Sequence, residues 1–406
     1  MIAILWDASH IWGYLLLHAV RSTGLPFRVL KGKEIAQSGI SCKLIVVPGG
    51  AARRKLEALG PRGAEAIRSF VSRGGSYLGF CGGSGLALAD GLGLCPWGRA
   101  DMADRLQHLV SGRLSCRIGT GSDSIPQGYA DADVLLPVWW PGRFDEPAEP
   151  QGVRVLARYT APGPDLYVAD MPYATLPPDI LAEWNAMYGV TVRPSILDGR
   201  PCVIEGDYGN GRWLLSYSHL ETPPDGTPGS DAPGLWFLHL IRQFTGAIPS
   251  SAVLPPFSPH SVPVLWEDPI LQNAAARLDE LVELAEELGL LFPRTPWLLG
   301  WRAGVPGSQF NSLRIALAST LGSPPSAQRM AQWHAQSGDF SSIFNIFLQG
   351  ARSWLLGRRL ADTLADSLPG MMPKELLVDR RTELFGSPMF GGGLCGRLLD
   401  MLEALV

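Results

Sequence analysis

Short apolar runs alternate with segments of helical periodicity in the first part of the chain. The runs have the length and continuous hydrophobicity of buried strands, and they lie at residues 2–6, 27–30, 44–47 and 77–80. Between them, Ser9 is a candidate N-cap of a helix that ends at Gly24, and Pro61 begins a second helix that ends at Gly74. This alternation predicts an α/β domain with a mostly parallel sheet flanked by helices, whose ligands bind beyond the carboxyl ends of the strands.

The pattern changes between Cys95 and Tyr188, where Pro and Gly interrupt shorter apolar runs. We expect an antiparallel insertion on the parallel sheet there. Further on, two apolar runs flank an Asn210-Gly211 step, which is a strong hairpin signal. The second strand of this hairpin is predicted to end in His219-Leu220-Glu221.

A second change of pattern follows Gly246. The next residues are rich in Pro and Ser, which is typical of a linker. Beyond them, apolar positions such as Leu278, Leu281 and Val282 recur at helical spacing. Because 406 residues exceed what one hydrophobic core usually organises, we predict an α/β domain over 1–246, a linker over 247–263 and an all-helical domain over 264–406.

Composition narrows the possible classes of protein. Hydrophobic residues make up 46% and charged residues 18% of the chain, as in an ordinary globular protein. A net charge of −4 offers no basic surface for nucleic acid or an anionic membrane, and no apolar run is long enough to span a bilayer. The N-terminal segment lacks the basic region of a signal peptide. Since the six cysteines include no Cys-x-x-Cys pair, we expect free thiols in the cytoplasm, no metal site and no cofactor.

One cysteine stands out by its local sequence. Cys81 occupies the centre of Gly79-Phe80-Cys81-Gly82-Gly83, where an apolar run turns into a segment of small residues. A Gly-x-Cys-x-Gly turn between a strand and a helix is typical of a nucleophile elbow, in which the flanking glycines permit the sharp turn. A buried strand end with a small packing cysteine is the alternative, and this short sequence alone does not decide between the two.

A thiol nucleophile needs a base and a third group that orients the base. His219 and Glu221 supply both within one tripeptide, and in an extended segment residues i and i+2 point to the same side. We therefore expect the two side chains to face Cys81, with the carboxylate fixing the imidazole tautomer. The alternative is that this tripeptide is a solvated strand end.

Together these segments resemble the class I glutamine amidotransferase-like superfamily, whose triad runs in chain order as Cys followed by His-x-Glu. The resemblance covers residues 1–246. Three segments are most similar to the amidotransferase-like N-terminal domain of biotin-protein ligases, namely Val46-Val47-Pro48-Gly49-Gly50, the stretch 74–81 and Trp140-Pro141-Gly142. The resemblance implies a flavodoxin-like fold with a mostly parallel sheet.

The same resemblance implies roles for individual residues. Cys81 would be the nucleophile, His219 the base and Glu221 the group that orients it. The backbone N–H of Gly82, with that of Gly49 or Gly50, would form the oxyanion hole.

This sequence departs from the family in two respects. Members that use glutamine carry a Gln four positions after the cysteine, where this chain has Gly85. The Gly-Arg-Gly-Arg-like and Lys-Trp-Pro-Asn-like stretches of a biotin ligase catalytic domain are not found in the sequence. Glutamine is therefore not the expected substrate, and the carboxyl half is not a ligase domain.

Three further residues are candidates for substrate binding. Asp7 follows the first strand, where it could contact substrate or cap a helix. Trp140 and Arg143 stand beside Pro141-Gly142, where they could wall a pocket and bind a carboxylate. With Trp139 they could equally form a structural aromatic cluster.

These features predict a cysteine-dependent hydrolase or amidotransferase that cleaves an amide or related acyl bond of a small molecule through a thioester on Cys81. The alternative is a non-catalytic small-molecule-binding or regulatory module on the same fold. In that case the helical domain would bind a protein partner. We expect neither nucleic acid nor a membrane as a partner.

Overall fold

The computed structural model describes residues 1–102, 105–302, 304–387 and 391–406, with only the backbone of Arg105. Within these ranges the chain forms two compact units, Met1–Pro256 and Phe257–Val406, called here the first and the second unit. In the described part of the chain, no helix combines the length and the apolar character needed to cross a membrane.

The first unit alternates strands and helices before a run of strands. In chain order its elements are β1 (Ile2–Leu5), α1 (His10–Ser22), β2 (Phe27–Leu30), α2 (Gly32–Ser38), β3 (Leu44–Val47), α3 (Ala52–Ser72), β4 (Ser76–Phe80), α4 (Gly82–Ala87), β5 (Gly98–Arg99), α5 (Arg105–His108), β6 (Val110–Ile118), β7 (Asp133–Trp139), β8 (Phe144–Asp145), β9 (Arg154–Pro162), β10 (Tyr167–Val168), β11 (Met171–Pro172), α6 (Pro178–Tyr188), β12 (Pro201–Tyr208), β13 (Gly211–Ser216) and α7 (Ala232–Thr245).

One large sheet organises this unit, with the strand order β11-β10-β6-β9-β12-β13-β4-β3-β1-β2 and with β7 paired to β6. Strands β2, β1, β3, β4 and β13 run parallel to their neighbours in that row. From β12 outward the pairing is antiparallel. The predicted α/β class is confirmed: the elbow strand β4 lies between β13 and β3 in the parallel part of the sheet, and an antiparallel extension continues this sheet beyond β13.

The parallel strands form where the sequence is continuously apolar. All residues of β1 and β3 are buried, as expected for strands covered on both faces. Helix α3 begins well before Pro61, contrary to the sequence-based expectation. It contains a kink at Gly60, whose φ of 57° and ψ of −177° are not helical. Pro61 therefore restarts the helix rather than opening it, because its fixed φ suits the first helical turn.

The hairpin of β12 and β13 differs from its prediction in two details. The two residues between the strands are Gly209 and Asn210, so Gly211 already belongs to β13. Strand β13 ends at Ser216, and the segment with His219 and Glu221 therefore lies in the following loop rather than on the strand. Strand alternation consequently does not explain how these two side chains are placed.

The second unit is mainly helical. Its elements are α8 (Pro269–Glu287), β14 (Leu291–Thr295), β15 (Leu298–Trp301), α9 (Gly307–Leu321), α10 (Ala327–Leu364), α11 (Lys374–Phe385) and α12 (Gly393–Glu403). The expectation of helices alone overlooked the antiparallel hairpin of β14 and β15. A buried amide secures this hairpin to α9: Asn311 accepts from Leu299 N at 2.8 Å and donates to Leu299 O at 2.9 Å.

Candidate active site

Cys81 lies at the sharp turn between β4 and α4. Its φ of 47° and ψ of −106° are unusual for a residue with a side chain. Backbone conformations of this kind cost roughly 1–3 kcal/mol and cluster at functional sites. The Cys81 N–H donates to Ser216 O at 2.7 Å, which fixes the turn to the end of β13. This strained turn between a strand and a helix agrees with the predicted elbow, and the role of Cys81 as a nucleophile stays a prediction.

Buried hydrogen bonds from β4 and α4 fix the conformation of the elbow. The Tyr77 hydroxyl donates to Gly83 O at 2.6 Å. The Ser84 hydroxyl lies 2.8 Å from both Gly79 O and Ser216 O. Gly83 has no room for a side chain, since a Cβ there would lie 2.0 Å from Val47 O. Helix α4 therefore packs directly on the parallel strands and keeps the turn in place.

His219 and Glu221 form a buried pair in the loop after β13. Their exposed fractions are 1% and 0%, and His219 Nδ1 lies 2.8 Å from Glu221 Oε1. The backbone of His219 is fixed as well, because its N–H donates to Pro137 O and its carbonyl accepts from the Thr222 hydroxyl, both at 2.8 Å. The imidazole is thus held in one orientation, with Nδ1 toward the carboxylate.

The imidazole of His219 also interacts with Cys81. Burial by itself lowers the pKa of His219, but the Glu221 carboxylate and Cys81 raise that pKa from 6.5 to about 10. The remaining ring nitrogen, Nε2, is buried and makes no hydrogen bond of ordinary geometry. The thiol that interacts with this imidazole is half-buried.

An indole without any functional signal in the sequence packs on this imidazole. The ring of Trp12 stacks on His219 with centroids 3.7 Å apart and planes 24° apart. Gly49 allows this contact, since a Cβ there would lie 2.7 Å from His219 Cε1 and 2.8 Å from Trp12 Cδ1. In the sequence Trp12 belongs to the apolar pattern of α1, and nothing separates it there from a core residue.

The two candidate glycine turns meet beside Cys81. A Cβ on Gly82 would lie 2.0 Å from Gly50 O and 3.1 Å from Gly50 N. Gly82 is also the first residue of α4, where backbone N–H groups have no partner within the helix. The backbones of Gly50 and Gly82 therefore lie against each other, and an oxyanion hole made of their N–H groups stays a prediction.

Tryptophans line the side of the site next to Cys81. We call Trp12, Trp139 and Trp140 the tryptophan row. The centroids of Trp12 and Trp139 are 6.1 Å apart, and those of Trp139 and Trp140 are 6.0 Å apart with nearly parallel planes. Cys81 Sγ lies 4.0 Å from Trp139 O. The row therefore begins at the imidazole, and the backbone of its second member lies near the sulfur.

The remaining two candidate residues have partners within the protein. Asp7 Oδ2 accepts from the N–H of Gly32, the first residue of α2, at 2.6 Å. Arg143 donates to Ser195 O at 2.9 Å and to Asp101 O at 2.7 Å. These contacts agree with structural roles, and substrate binding by Asp7 and Arg143 stays a prediction.

Four of the other five thiols are in surroundings that oppose their ionisation. Burial raises the pKa of Cys42 and Cys116. It raises the pKa of Cys95 and of Cys395 to about 12. None of the six cysteines is in a disulfide. Among the described residues, no group of three or more His, Cys, Asp or Glu side chains could hold a metal ion.

The first unit is thus an α/β structure with a cysteine elbow at the carboxyl edge of parallel strands. Residues 37–89 match the family described as biotin-protein ligase, N terminal, which confirms the resemblance inferred from sequence. The matched segment contains the Gly49-Gly50 turn and Cys81, and it ends before His219 and Glu221. No curated protein sequence matches the chain significantly.

Solved structures show only a distant likeness. A candidate GMP synthase component from Thermoplasma acidophilum is 10% identical with a TM-score of 0.38, over 60% of this chain and 92% of that one. A candidate ThuA-like protein from Parabacteroides merdae is 14% identical with a TM-score of 0.37, over 62% and 91%. A β-galactosidase from Bacillus circulans is 12% identical with a TM-score of 0.36, over 61% and 31%. Likenesses this weak say nothing about activity.

Proposed function

We propose that the first unit is a cysteine-dependent amidase or amidotransferase that acts on an amide or related acyl bond of a small molecule. The contacts from Glu221 through His219 to Cys81 support this best. Glu221 and His219 Nδ1 are 2.8 Å apart, and Cys81 is close enough to raise the imidazole pKa. Acyl transfer through a thioester needs such a thiol beside an oriented imidazole.

The reaction would proceed in two steps. The Cys81 thiolate attacks the carbonyl carbon, a C–S bond forms, and the oxyanion faces the N–H groups of Gly82 and Gly49 or Gly50. As the C–N bond breaks, His219 gives the proton on Nε2 to the departing amine. Neutral His219 then takes a proton from water, whose oxygen attacks the thioester, and the C–S bond breaks to release the acid and the thiolate. In a transferase, an amine replaces the water.

Two features of the chain limit the proposed substrate and the proposed cellular compartment. Gly85 stands where glutamine-using relatives carry Gln, so we propose an amide other than that of glutamine. Six free thiols suit the reducing cytoplasm, where we place the reaction.

The second candidate is a non-catalytic binding module on the same fold, which the replacement of Gln by Gly85 favours. In that case the pair of His219 and Glu221 would frame a ligand pocket, and the second unit would bind a protein partner. The two candidates differ in whether Cys81 forms a covalent intermediate.

Mass spectrometry after brief exposure to an acylating ester at pH 7 tests the proposal. We expect a thioester on Cys81 before any other cysteine is modified, because burial suppresses ionisation of Cys42, Cys95, Cys116 and Cys395. His219→Ala should slow acylation by about 10²- to 10⁴-fold. Cys42→Ser is the matched control, since Cys42 is also half-buried. Faster acylation of another cysteine, or an unchanged rate in His219→Ala, would reject the catalytic proposal.

A further inference from the structure

A buried arginine on β6 contacts the loop that carries His219. This loop joins β13 to α7 over residues 217–231 and is called here the site loop. It is buried over 217–223 and exposed over 226–229. Arg113 is 6% exposed and binds the site loop where the loop emerges at the surface.

Hydrogen bonds between side chains fix Arg113 to this outer part of the site loop. Arg113 Nη2 donates to Asp225 Oδ2 and Nη1 donates to Thr227 Oγ1, both at 2.5 Å. The arginine is itself held, because its Nε and its backbone N–H donate to the Asp165 carboxylate at 3.2 and 3.0 Å. The Arg113 and Asp225 side chains are 8% and 10% exposed. Charge-assisted hydrogen bonds that are shielded from water are strong, so the position of Asp225 relative to β6 is firmly fixed.

The pairing of β6 with β7 holds the inner part of the same loop. Arg113 lies directly opposite Pro137 in the antiparallel register of these strands. The carbonyl of Pro137 accepts from the His219 N–H at 2.8 Å. One point of the sheet therefore binds the site loop at His219 through the backbone and at Asp225 through the guanidinium group, and Glu221 lies between these two attachments.

The Glu221 carboxylate depends on the backbone of the site loop for its position. Its Oε1 lies 2.8 Å from His219 Nδ1. Its Oε2 is buried and makes no hydrogen bond within the described part of the chain. Because the carboxylate is bonded there through one oxygen only, a shift of the loop at Asp225 changes its distance to the imidazole.

We propose that Arg113 is a positioning residue of the candidate active site, which keeps Glu221 in contact with His219 by fixing the site loop at Asp225. The inference rests on the proposed function for the role of the imidazole in acylation. The contact between Glu221 and His219 can nevertheless be measured without any reaction. A displacement of about 1 Å in a catalytic group can cost on the order of 100-fold in rate.

Asp225→Asn tests the proposal, because it removes the charge that pairs with Arg113 and keeps the size of the side chain. Proton NMR of protein labelled with isotopic histidine follows the imidazole N–H groups. The N–H between His219 and Glu221 is the downfield resonance that disappears in His219→Ala. We expect this resonance to move upfield or to vanish by exchange with water in Asp225→Asn, and alkylation of Cys81 by iodoacetamide at pH 7 to slow at least about tenfold.

Two further variants complete the test. Asp133→Asn is the matched control, since Asp133 pairs with Arg117 on the same two strands, at an exposed position outside the site loop. It should leave both the resonance and the alkylation rate unchanged. Thr227→Val removes a hydroxyl that accepts from Arg113 and leaves the ion pair intact. It should act in the same direction as Asp225→Asn but less strongly, and it decides the question if Asp225→Asn does not fold.

An unchanged N–H resonance in folded Asp225→Asn would overturn the positioning role, even if alkylation slows. The same holds if the unsubstituted protein lacks the downfield resonance, or if Asp133→Asn shifts it equally. Failure of the proposed function gives a different result. A resonance that shifts only in the site-loop variants, with an unchanged alkylation rate, supports the positioning of the imidazole and rejects its part in activating Cys81.

Discussion

Gly49→Ala tests whether the tight packing around His219 matters for Cys81. The added Cβ would lie 2.7 Å from His219 Cε1 and 2.8 Å from Trp12 Cδ1. Carbon atoms pack best at about 3.5–4.0 Å, so a ring must move by roughly 1 Å. Gly49 does not have a positive φ, and the substitution therefore adds no backbone strain. Neither ring has free space, since Trp12 is 6% and His219 1% exposed.

We expect Gly49→Ala to lower the free energy of unfolding by about 1–3 kcal/mol, the usual cost of overpacking. A displacement of about 1 Å in a reacting group can cost on the order of 100-fold in rate, so alkylation of Cys81 by iodoacetamide at pH 7 should slow markedly. Urea unfolding and mass spectrometry measure the two effects.

Gly98→Ala is the matched control, because a Cβ there meets nothing within 4 Å. The packing argument is refuted if Gly49→Ala behaves like this control in both measurements. A loss of stability with an unchanged alkylation rate would instead show that His219 does not activate Cys81.

Three further predictions concern the imidazole and the division of the chain. Glu221→Gln removes a charge that raises the pKa of His219 and leaves the burial that lowers it, so alkylation of Cys81 at pH 7 should slow. The pKa of His219, raised from 6.5 to about 10, contributes stability that is present below pH 6.5 and is lost as the pH rises through 10. Urea unfolding should show this loss in the unsubstituted protein. An equal loss in Glu221→Gln would contradict the prediction. A protein ending at Pro256, the last residue of the first unit, should melt cooperatively and keep the alkylation rate of Cys81. Aggregation or loss of labelling would mean that the second unit completes the first.

Buried parallel strands could be predicted from sequence, because a strand that is buried on both faces is a continuous run of apolar residues. Strand β3, which is buried throughout, occupies 44–47, the same residues as its apolar run. Helix α3 was harder to predict, because its first part contains charged residues and a non-helical glycine at Gly60. Pro is favoured in the first turn of a helix, but a Pro in the sequence does not exclude that the helix has already begun before it.

The candidate site was only partly accessible to sequence reasoning. The turn around Cys81 has a local signature, because its glycines are required by the close approach of neighbouring backbone. Proximity of His219 and Glu221 was expected from strand alternation, but a loop brings them to 2.8 Å, held by bonds to Pro137 and Thr222. The contact of Trp12 with His219 could not be predicted, since it depends on how helix α1 and the loop after β13 meet in space.

Positive φ values outside glycine show where tertiary structure overrides local preference. Ala8, His10, Cys81 and Trp140 all have φ values between 46° and 51°. Cys81 lies at the elbow and Trp140 follows β7, while Ala8 precedes and His10 begins α1, the helix that carries Trp12. Unfavourable backbone conformations persist only where the surroundings determine them strongly.

A buried lysine on α3 provides such surroundings for the turn after β1. Lys55 is 0% exposed, and its ammonium group donates to Asp7 O at 2.8 Å and to Ser9 Oγ at 2.6 Å. One residue of the same turn, Ala8, accepts at its carbonyl from Ala51 N at 3.1 Å. These bonds join the turn after β1 to the turn after β3, which contains Gly49. A buried ammonium group requires its acceptors. These bonds therefore help to hold the turn that contains Gly49 beside α1, the helix that carries Trp12, and both Gly49 and Trp12 pack on the imidazole of His219.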